Sequence, residues 1–194
     1  PYKEKYGKTN ISIIDDFKNL VNSNNDSSDL IIAPETYFSE SPGFLIDRFE
    51  DSAFLIILKN YLNKKNNTQL LAGIQFYQLY NSSKEKTKTS NYVRDSIWFD
   101  IYNSSFLISN TQIPQIYHKS KLVVGVENIP YKSILEPLMG NTLLNFGGTV
   151  SSRATQGERE VFQLNNGIKV APIICYESIY GEYVTEYVRN GAQF

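Results

Sequence analysis

Only one cysteine, Cys175, occurs in the 194 residues, so no disulfide closes within the chain and cysteine usage does not decide a redox compartment. Basic residues are not in excess either. The 19 Lys and Arg against 20 Asp and Glu leave a net charge of −1, which argues against a nucleic-acid partner. Long apolar runs are missing. The longest, Ala53 to Leu58, falls far short of the roughly 18–20 residues that cross a bilayer. No signal peptide is visible, and the chain starts at Pro1 rather than methionine, so the natural N-terminus is expected upstream. No His/Cys/Asp cluster suggests a metal site, and no cofactor is implied. There is no internal repeat and no linker that divides the chain. What is present, 41% hydrophobic and 20% charged, suits one sizeable globular core. The 14 Tyr and 11 Phe are read as core and strand packing.

Patterning along the chain alternates between helical and extended stretches. Ile13, Ile14, Phe17, Leu20 and Val21 share one face of a helix that Asn10 or Ser12 caps and that runs to about Asn22. Asp29 to Pro34 reads as a buried strand stopped by proline. Thr36 to Glu50 is loop-like, with Tyr37, Phe38 and Phe44 exposed or lining something. Asp51 or Ser52 caps a second helix to about Lys65, and Gln69 to Tyr77 is a strand. Asn81 to Asn91 is a solvated loop. Tyr92 to Ser109 is extended, with breaks near Asp95 and Asn103, and turns at Asn110–Gln112 into a returning strand, Ile113 to Val124. A short helix is expected around Tyr131 to Met139. A second hairpin joins Val161–Leu164 to Ile168–Ile174 around Asn165-Asn166-Gly167, a favoured turn sequence. Ser178 to Arg189 is helical, with Ile179, Tyr183, Tyr187 and Val188 on one side and Gly191 as C-cap. Asn190 to Phe194 leads into another strand. The whole reads as one α/β or α+β domain, layered, with a mixed sheet.

Three segments put reactive side chains at or just past strand ends: Pro34-Glu35, Tyr117-His118-Lys119 and Ile174-Cys175-Tyr176-Glu177. A thiol is a strong nucleophile once deprotonated, and a carboxylate can take its proton. A nearby ammonium favours the thiolate and the oxyanion of a tetrahedral intermediate. Each residue also has an inert reading. Cys175 alone is more often buried core, Glu35 a solvated loop carboxylate, and Lys119 and Lys121 exposed strand lysines guarding an edge. If those two lysines alternate along one strand they share a face, and the sequence does not separate them. His118 then points the other way, as a surface residue.

These three motifs, in this order and at these wide spacings, resemble the Glu, Lys and Cys motifs of the nitrilase, or carbon–nitrogen hydrolase, superfamily. The hairpin from Tyr102-Asn103-Ser104-Ser105-Phe106 to Leu122 is similar to that family's strand pair leading to its lysine. Lys121-Leu122-Val123-Val124-Gly125-Val126-Glu127-Asn128-Ile129-Pro130 and Asn166 to Glu177 carry a further likeness to its apolipoprotein N-acyltransferase branch. The resemblance runs from about Asp29 to Phe194. It implies a nitrilase-like α-β-β-α sandwich with mixed sheets, truncated at both ends: residues 1–194 form a single catalytic domain without its first strand and its C-terminal part. It also implies Glu35 as general base, Lys119 as oxyanion stabiliser and Cys175 as nucleophile, with Glu127, Tyr176 and Glu177 in auxiliary positions. The sequence departs from the family in Gly125-Val126-Glu127, where Phe-Gly-Glu is usual, and in Ala33, where a Trp precedes the Pro-Glu.

What the resemblance implies functionally is transfer of an acyl chain from a phospholipid, through a Cys175 thioester, to the amino group of a diacylglyceryl-cysteine on an apolipoprotein. The enzyme would sit in a bacterial inner membrane, held by helices outside this chain, with its catalytic domain facing the periplasm. Two alternatives stay open. One is a soluble amidase or nitrilase with the same residues and water as acceptor. The other is an inactive fragment whose exposed strand edges pair with a second copy.

Overall fold

Two long strands carry the architecture. In the computed structural model, which describes residues 7–23, 28–66, 68–123, 127 and 152–194, β3 (Gln69–Tyr80) and β5 (Ile97–Ile108) pair antiparallel from Leu70↔Ile108 to Tyr80↔Trp98. The other strands distribute along their free edges. On β3, β1 (Leu30–Ile32), the bridge Phe38↔Ile74 and β2 (Phe44–Leu45) follow one another in parallel. On β5, β4 (Asn91–Arg94), β7 (Arg153–Ala154) and β6 (Gln115–His118) follow one another, β4 and β6 antiparallel and β7 parallel. The result is a mixed seven-stranded sheet. β8 (Phe162–Gln163) and β9 (Lys169–Val170) form a separate antiparallel pair, closed by Gly167 at φ +85°. That left-handed conformation is one that glycine adopts without a steric penalty.

Alternation along the two long strands decides the layers, because successive side chains point to opposite faces. Leu70, Ala72, Ile74, Phe76, Phe106 and Ile108 pack under helices α1 (Asn10–Ser23) and α2 (Ala53–Asn63), against Ile14, Phe17, Leu55, Leu58 and Leu62. Leu71 and Leu107 face the other way. With Tyr117 they meet Phe162, Leu164, Val170, Ile174 and, from α3 (Gly181–Arg189), Tyr187. The order helix, large sheet, small sheet, helix is the expected α-β-β-α layering. Ser52 caps α2, its hydroxyl accepting from the Leu55 N–H at 3.2 Å. For α1, Thr9 does this at Ser12 rather than Asn10 or Ser12 themselves. No helix among the described residues is long and apolar enough to cross a membrane.

Several expectations give way to tertiary packing. β1 is not buried: it pairs with β3 on one side, its other edge carries no strand among the described residues, and Ile32 is 67% exposed. Phe38 is fully buried rather than exposed, edge-on to Phe54 at 4.8 Å and 6.0 Å from Phe106. Phe44 packs on Phe49 and Phe54. The strand edge of β3 clips their loop down onto the core. β5 runs unbroken through Asn103, while the break at Asp95 is real, with Asp95 and Ser96 both at positive φ. The expected helix from Ser178 is two pieces, a 3-10 turn over Cys175–Ile179 and then α3, separated by extended Tyr180. A 3-10 turn advances the side chains at a different rate from an α-helix. Ile179 and Val188 are therefore exposed, and of the expected apolar face only Tyr187 is buried. The Tyr131–Met139 helix lies outside the described residues. At the chain's far end, Phe194 and Gln193 run beside β9: the Ala171 N–H donates to the Phe194 carbonyl and the Gln193 N–H to the Lys169 carbonyl.

His118 is also not a surface residue. Its Nδ1 lies 2.7 Å from the Ser104 hydroxyl, and its ring stacks 4.4 Å from Tyr102 and lies 6.0 Å from Phe76. Burial without a carboxylate partner pushes its pKa down from 6.5 to about 4. Between those two values the unfolded chain binds a proton that the native protein refuses. Stability is therefore complete above about pH 6.5 and falls as the pH drops toward 4, by about 3 kcal/mol in all. Urea midpoints of wild type and His118→Gln at pH 7 and pH 4.5 check this. The loss on acidification is expected to be smaller in the variant, and equal losses would remove His118 as its source.

Candidate active site

Glu35 reaches the sheet because one residue of β3 has no side chain. After β1, the Ala33 N–H donates to the Leu71 carbonyl and the Gly73 N–H to the Pro34 carbonyl. A Cβ on Gly73 would stand 2.4 Å from the Thr36 nitrogen and 2.6 Å from the Glu35 Cα, so only glycine lets this segment lie flat. The obstructing atoms are backbone and cannot rotate away. Gly73→Ala is expected to lift the Glu35 segment and cost roughly 1–3 kcal/mol. An unchanged urea midpoint would show that the segment yields freely.

Lys119 leaves β6 directly after His118. Its N–H donates to the Asn103 carbonyl at 2.8 Å, and its side chain turns inward to 1% exposure. Nζ lies 2.9 Å from Glu127 Oε2 and 3.9 Å from Glu35 Oε1. A desolvated ammonium is tolerated only with such partners. Asn103 joins the two sides: besides holding the Lys119 backbone, its Nδ2 donates to Glu35 Oε1 at 2.6 Å. Burial raises the Glu127 pKa, but the Lys119 hydrogen bond, the Val123 N–H and the charges of Lys119 and Arg153 outweigh it and hold the group below the usual carboxylate range. The two lysines thus separate clearly. Lys121 lies over the rings of Tyr180 at 4.8 Å and Tyr183 at 5.5 Å.

Cys175 sits at the first position of the 3-10 turn with φ +50°, and it is exposed. Positive φ at a residue with a side chain stores strain that its surroundings must hold. Glu177, fully buried, does so. Its Oε2 accepts from the Ile174 N–H at 2.9 Å, while its Oε1 accepts from the Tyr117 hydroxyl and the Ser120 N–H, both at 2.7 Å, from the Ser120 hydroxyl at 2.8 Å and from the Lys121 N–H at 3.2 Å. One carboxylate therefore ties the cysteine turn to the loop that carries Lys119. Tyr176 is half-buried, edge-on to Tyr180 with centroids 5.3 Å apart.

A cavity of about 440 Å³ opens between the two sheets. Glu35 and Cys175 both line it, with Gly73, Ser105 and an apolar wall that includes Leu71 and Ile174. The structure thus gathers Glu35, Lys119 and Glu127 into one charged cluster and sets Cys175 on the cavity that Glu35 shares. An acid, an ammonium and a thiol in that arrangement are equipped for acyl transfer. No group of three His, Cys, Asp or Glu among the described residues is arranged to hold a metal ion. The sequence reading missed Asn103, Gly73, Ser105 and Tyr117. A signal was there: Asn103-Ser104-Ser105 is a polar triplet directly before the apolar Phe106-Leu107-Ile108 end of the strand, which burial alone disfavours.

Known proteins resemble this chain in sequence and in fold. Residues 27–194 match the carbon-nitrogen hydrolase family. Apolipoprotein N-acyltransferase 1 of Treponema pallidum is 30% identical over 173 residues, covering 84% of this chain and 29% of that protein. The apolipoprotein N-acyltransferase of Chlorobaculum tepidum is 39% identical over 98 residues, 48% of this chain and 18% of that one. The one of Wigglesworthia glossinidia brevipalpis is 27% identical over 177 residues, 91% and 30%. The chain thus spans less than a third of the length of each of these curated relatives. Among solved structures, a CN-hydrolase superfamily protein of Xanthomonas campestris aligns with TM-score 0.51 and 15% identity over 90% of this chain and 51% of that one. Glutamine-dependent NAD+ synthetase of Acinetobacter baumannii aligns with TM-score 0.52 and 15% identity over 97% and 29%. At that identity the two structures speak for the fold.

Proposed function

Given that the chain belongs to the carbon–nitrogen hydrolase family, we propose that it is the cysteine-bearing region of an apolipoprotein N-acyltransferase. Relatives of that name support the reading. The observation that carries it is the buried Lys119 ammonium, 3.9 Å from a Glu35 carboxylate that shares a cavity with Cys175. In the proposed reaction Glu35 takes the Cys175 thiol proton, and the thiolate attacks the acyl ester carbonyl of a phospholipid. Lys119 stabilises the oxyanion. The C–O bond breaks, the lysophospholipid hydroxyl leaves with the proton from Glu35, and the acyl chain stays on sulfur as a thioester. The amino group of a diacylglyceryl-cysteine then attacks the thioester. The C–S bond breaks, the surplus proton passes through Glu35, and the thiol returns. Glu127 holds the Lys119 side chain in place through its 2.9 Å contact, and Glu177 fixes the cysteine turn. On this reading the enzyme works at a bacterial inner membrane with its chemistry on the periplasmic side.

Incubation with phospholipid, followed by intact mass and peptide mapping, tests this. The expected result is one acyl chain on Cys175, discharged onto the amine of an added diacylglyceryl-cysteine peptide. An adduct on any other residue would overturn the thioester assignment. Release of free fatty acid with no transfer to the amine would replace the transferase with a hydrolase.

A further inference from the structure

Ser105 is the residue of the cavity that folding does not account for. It lies on the site-facing side of β5, in register with Gly73 on β3 and Tyr117 on β6. It is 7% exposed, it lines the cavity, and its hydroxyl has no hydrogen-bond partner among the described residues. A buried hydroxyl without a partner costs stability that an alanine would not. The chemistry around it points to what the hydroxyl serves. Glu35 offers acceptor oxygens, Cys175 a thiol that is at best a weak donor, and the Ser104 hydroxyl is engaged with His118. The remaining side chains of the lining are apolar, among them Ile32, Leu71, Val170 and Ile174. Among the described side chains that line the cavity, Ser105 is thus the one uncommitted strong donor, set in a hydrocarbon wall.

We infer that Ser105 is a specificity-determining residue that touches substrate: its hydroxyl donates to the carbonyl oxygen of an ester or amide whose hydrocarbon part fills the cavity. This deepens the acyl-transfer reading and rests on taking the cavity as the substrate pocket. A pocket with such a donor distinguishes a carbonyl compound from an apolar one of the same shape, because only the former satisfies the stranded hydroxyl.

Two unreactive probes of one shape, 2-hexanone and 2-methyl-1-hexene, test the inference. Dissociation constants are measured by NMR titration for wild type, Ser105→Ala and Ser105→Thr, with thermal melts of all three. In Ser105→Ala the ketone is expected to bind about tenfold more weakly, with the alkene unchanged or tighter. Ser105→Thr keeps ketone binding, since it keeps the hydroxyl. The alanine protein melts at or above wild type. Equal ketone affinity in wild type and Ser105→Ala, parallel weakening of both probes, or a lower melting temperature for the alanine protein would each overturn the assignment. The readout needs no chemistry at Cys175. Should phospholipid leave no acyl chain on the enzyme while the ketone preference stands, the transferase reading falls and the donor site survives.

Discussion

Glu35→Gln is expected to slow formation of the Cys175 thioester by roughly 10²–10⁴-fold, the usual worth of a general base, without lowering the melting temperature. The glutamine keeps the shape, and its amide oxygen still accepts from Asn103 Nδ2, which now stands 2.6 Å from Glu35 Oε1. Its contact with Lys119 is the longer one, 3.9 Å, and the ammonium keeps its 2.9 Å partner in Glu127. What disappears is the basic oxygen on the cavity that Cys175 lines. Single-turnover acylation monitored by intact mass gives the rate, with Cys175→Ala as the zero. A Glu35→Gln protein within a fewfold of wild type would remove Glu35 from the proton path.

Glu177→Ala is expected to cost roughly 3–5 kcal/mol of stability and to disable the site together with the fold around it. Removing the carboxylate takes the acceptor from the buried Ile174 N–H and from the part-buried Ser120 and Lys121 N–H groups, while the Tyr117 hydroxyl keeps only Ser120 Oγ, 2.8 Å away. Each stranded donor costs about 1–3 kcal/mol, and local re-pairing recovers part of the sum. Glu177→Gln should lose about half as much. Its single amide oxygen can serve one side, but its NH2 group must then confront N–H donors on the other. The expected order of urea midpoints is wild type, Gln, Ala. The Gln protein should also show slower Cys175 alkylation by a small neutral reagent, because positive φ at Cys175 depends on this clamp. A midpoint for Glu177→Ala within about 1 kcal/mol of wild type would mean that the hydrogen bonds re-form elsewhere.

Much of the secondary structure was legible from periodicity. The two N-terminal helices, the turn at Asn165-Asn166-Gly167 and the hairpin into Lys119 all follow from local patterns, as does Gly191 as a helix stop at φ +92°. Burial was less legible. Ile32 sits in an apolar run yet is exposed, because β1 lies at the margin of the sheet. Phe38 sits in a polar loop yet is fully buried, because β3 offers that loop an edge to bridge. His118 reads as polar and is packed between Ser104 and two aromatic rings.

The order and identity of the reactive groups, Glu35, Lys119 and Cys175 at or just past extended segments, belong to the sequence, because strand patterns and turns are written in neighbouring residues. Which lysine goes inside was decided only by the folded chain. Lys119 and Lys121 have the same local surroundings. The first meets Glu127 and Glu35, brought from other parts of the chain, while the second meets the tyrosines after the cysteine turn. Gly73 and Asn103 are likewise silent in one dimension, and Glu177, singled out there only for its place beside Cys175, gives no sign of the clamp it makes. Their roles are contacts between segments 37 to 68 positions apart, and such contacts exist only once the layers have closed.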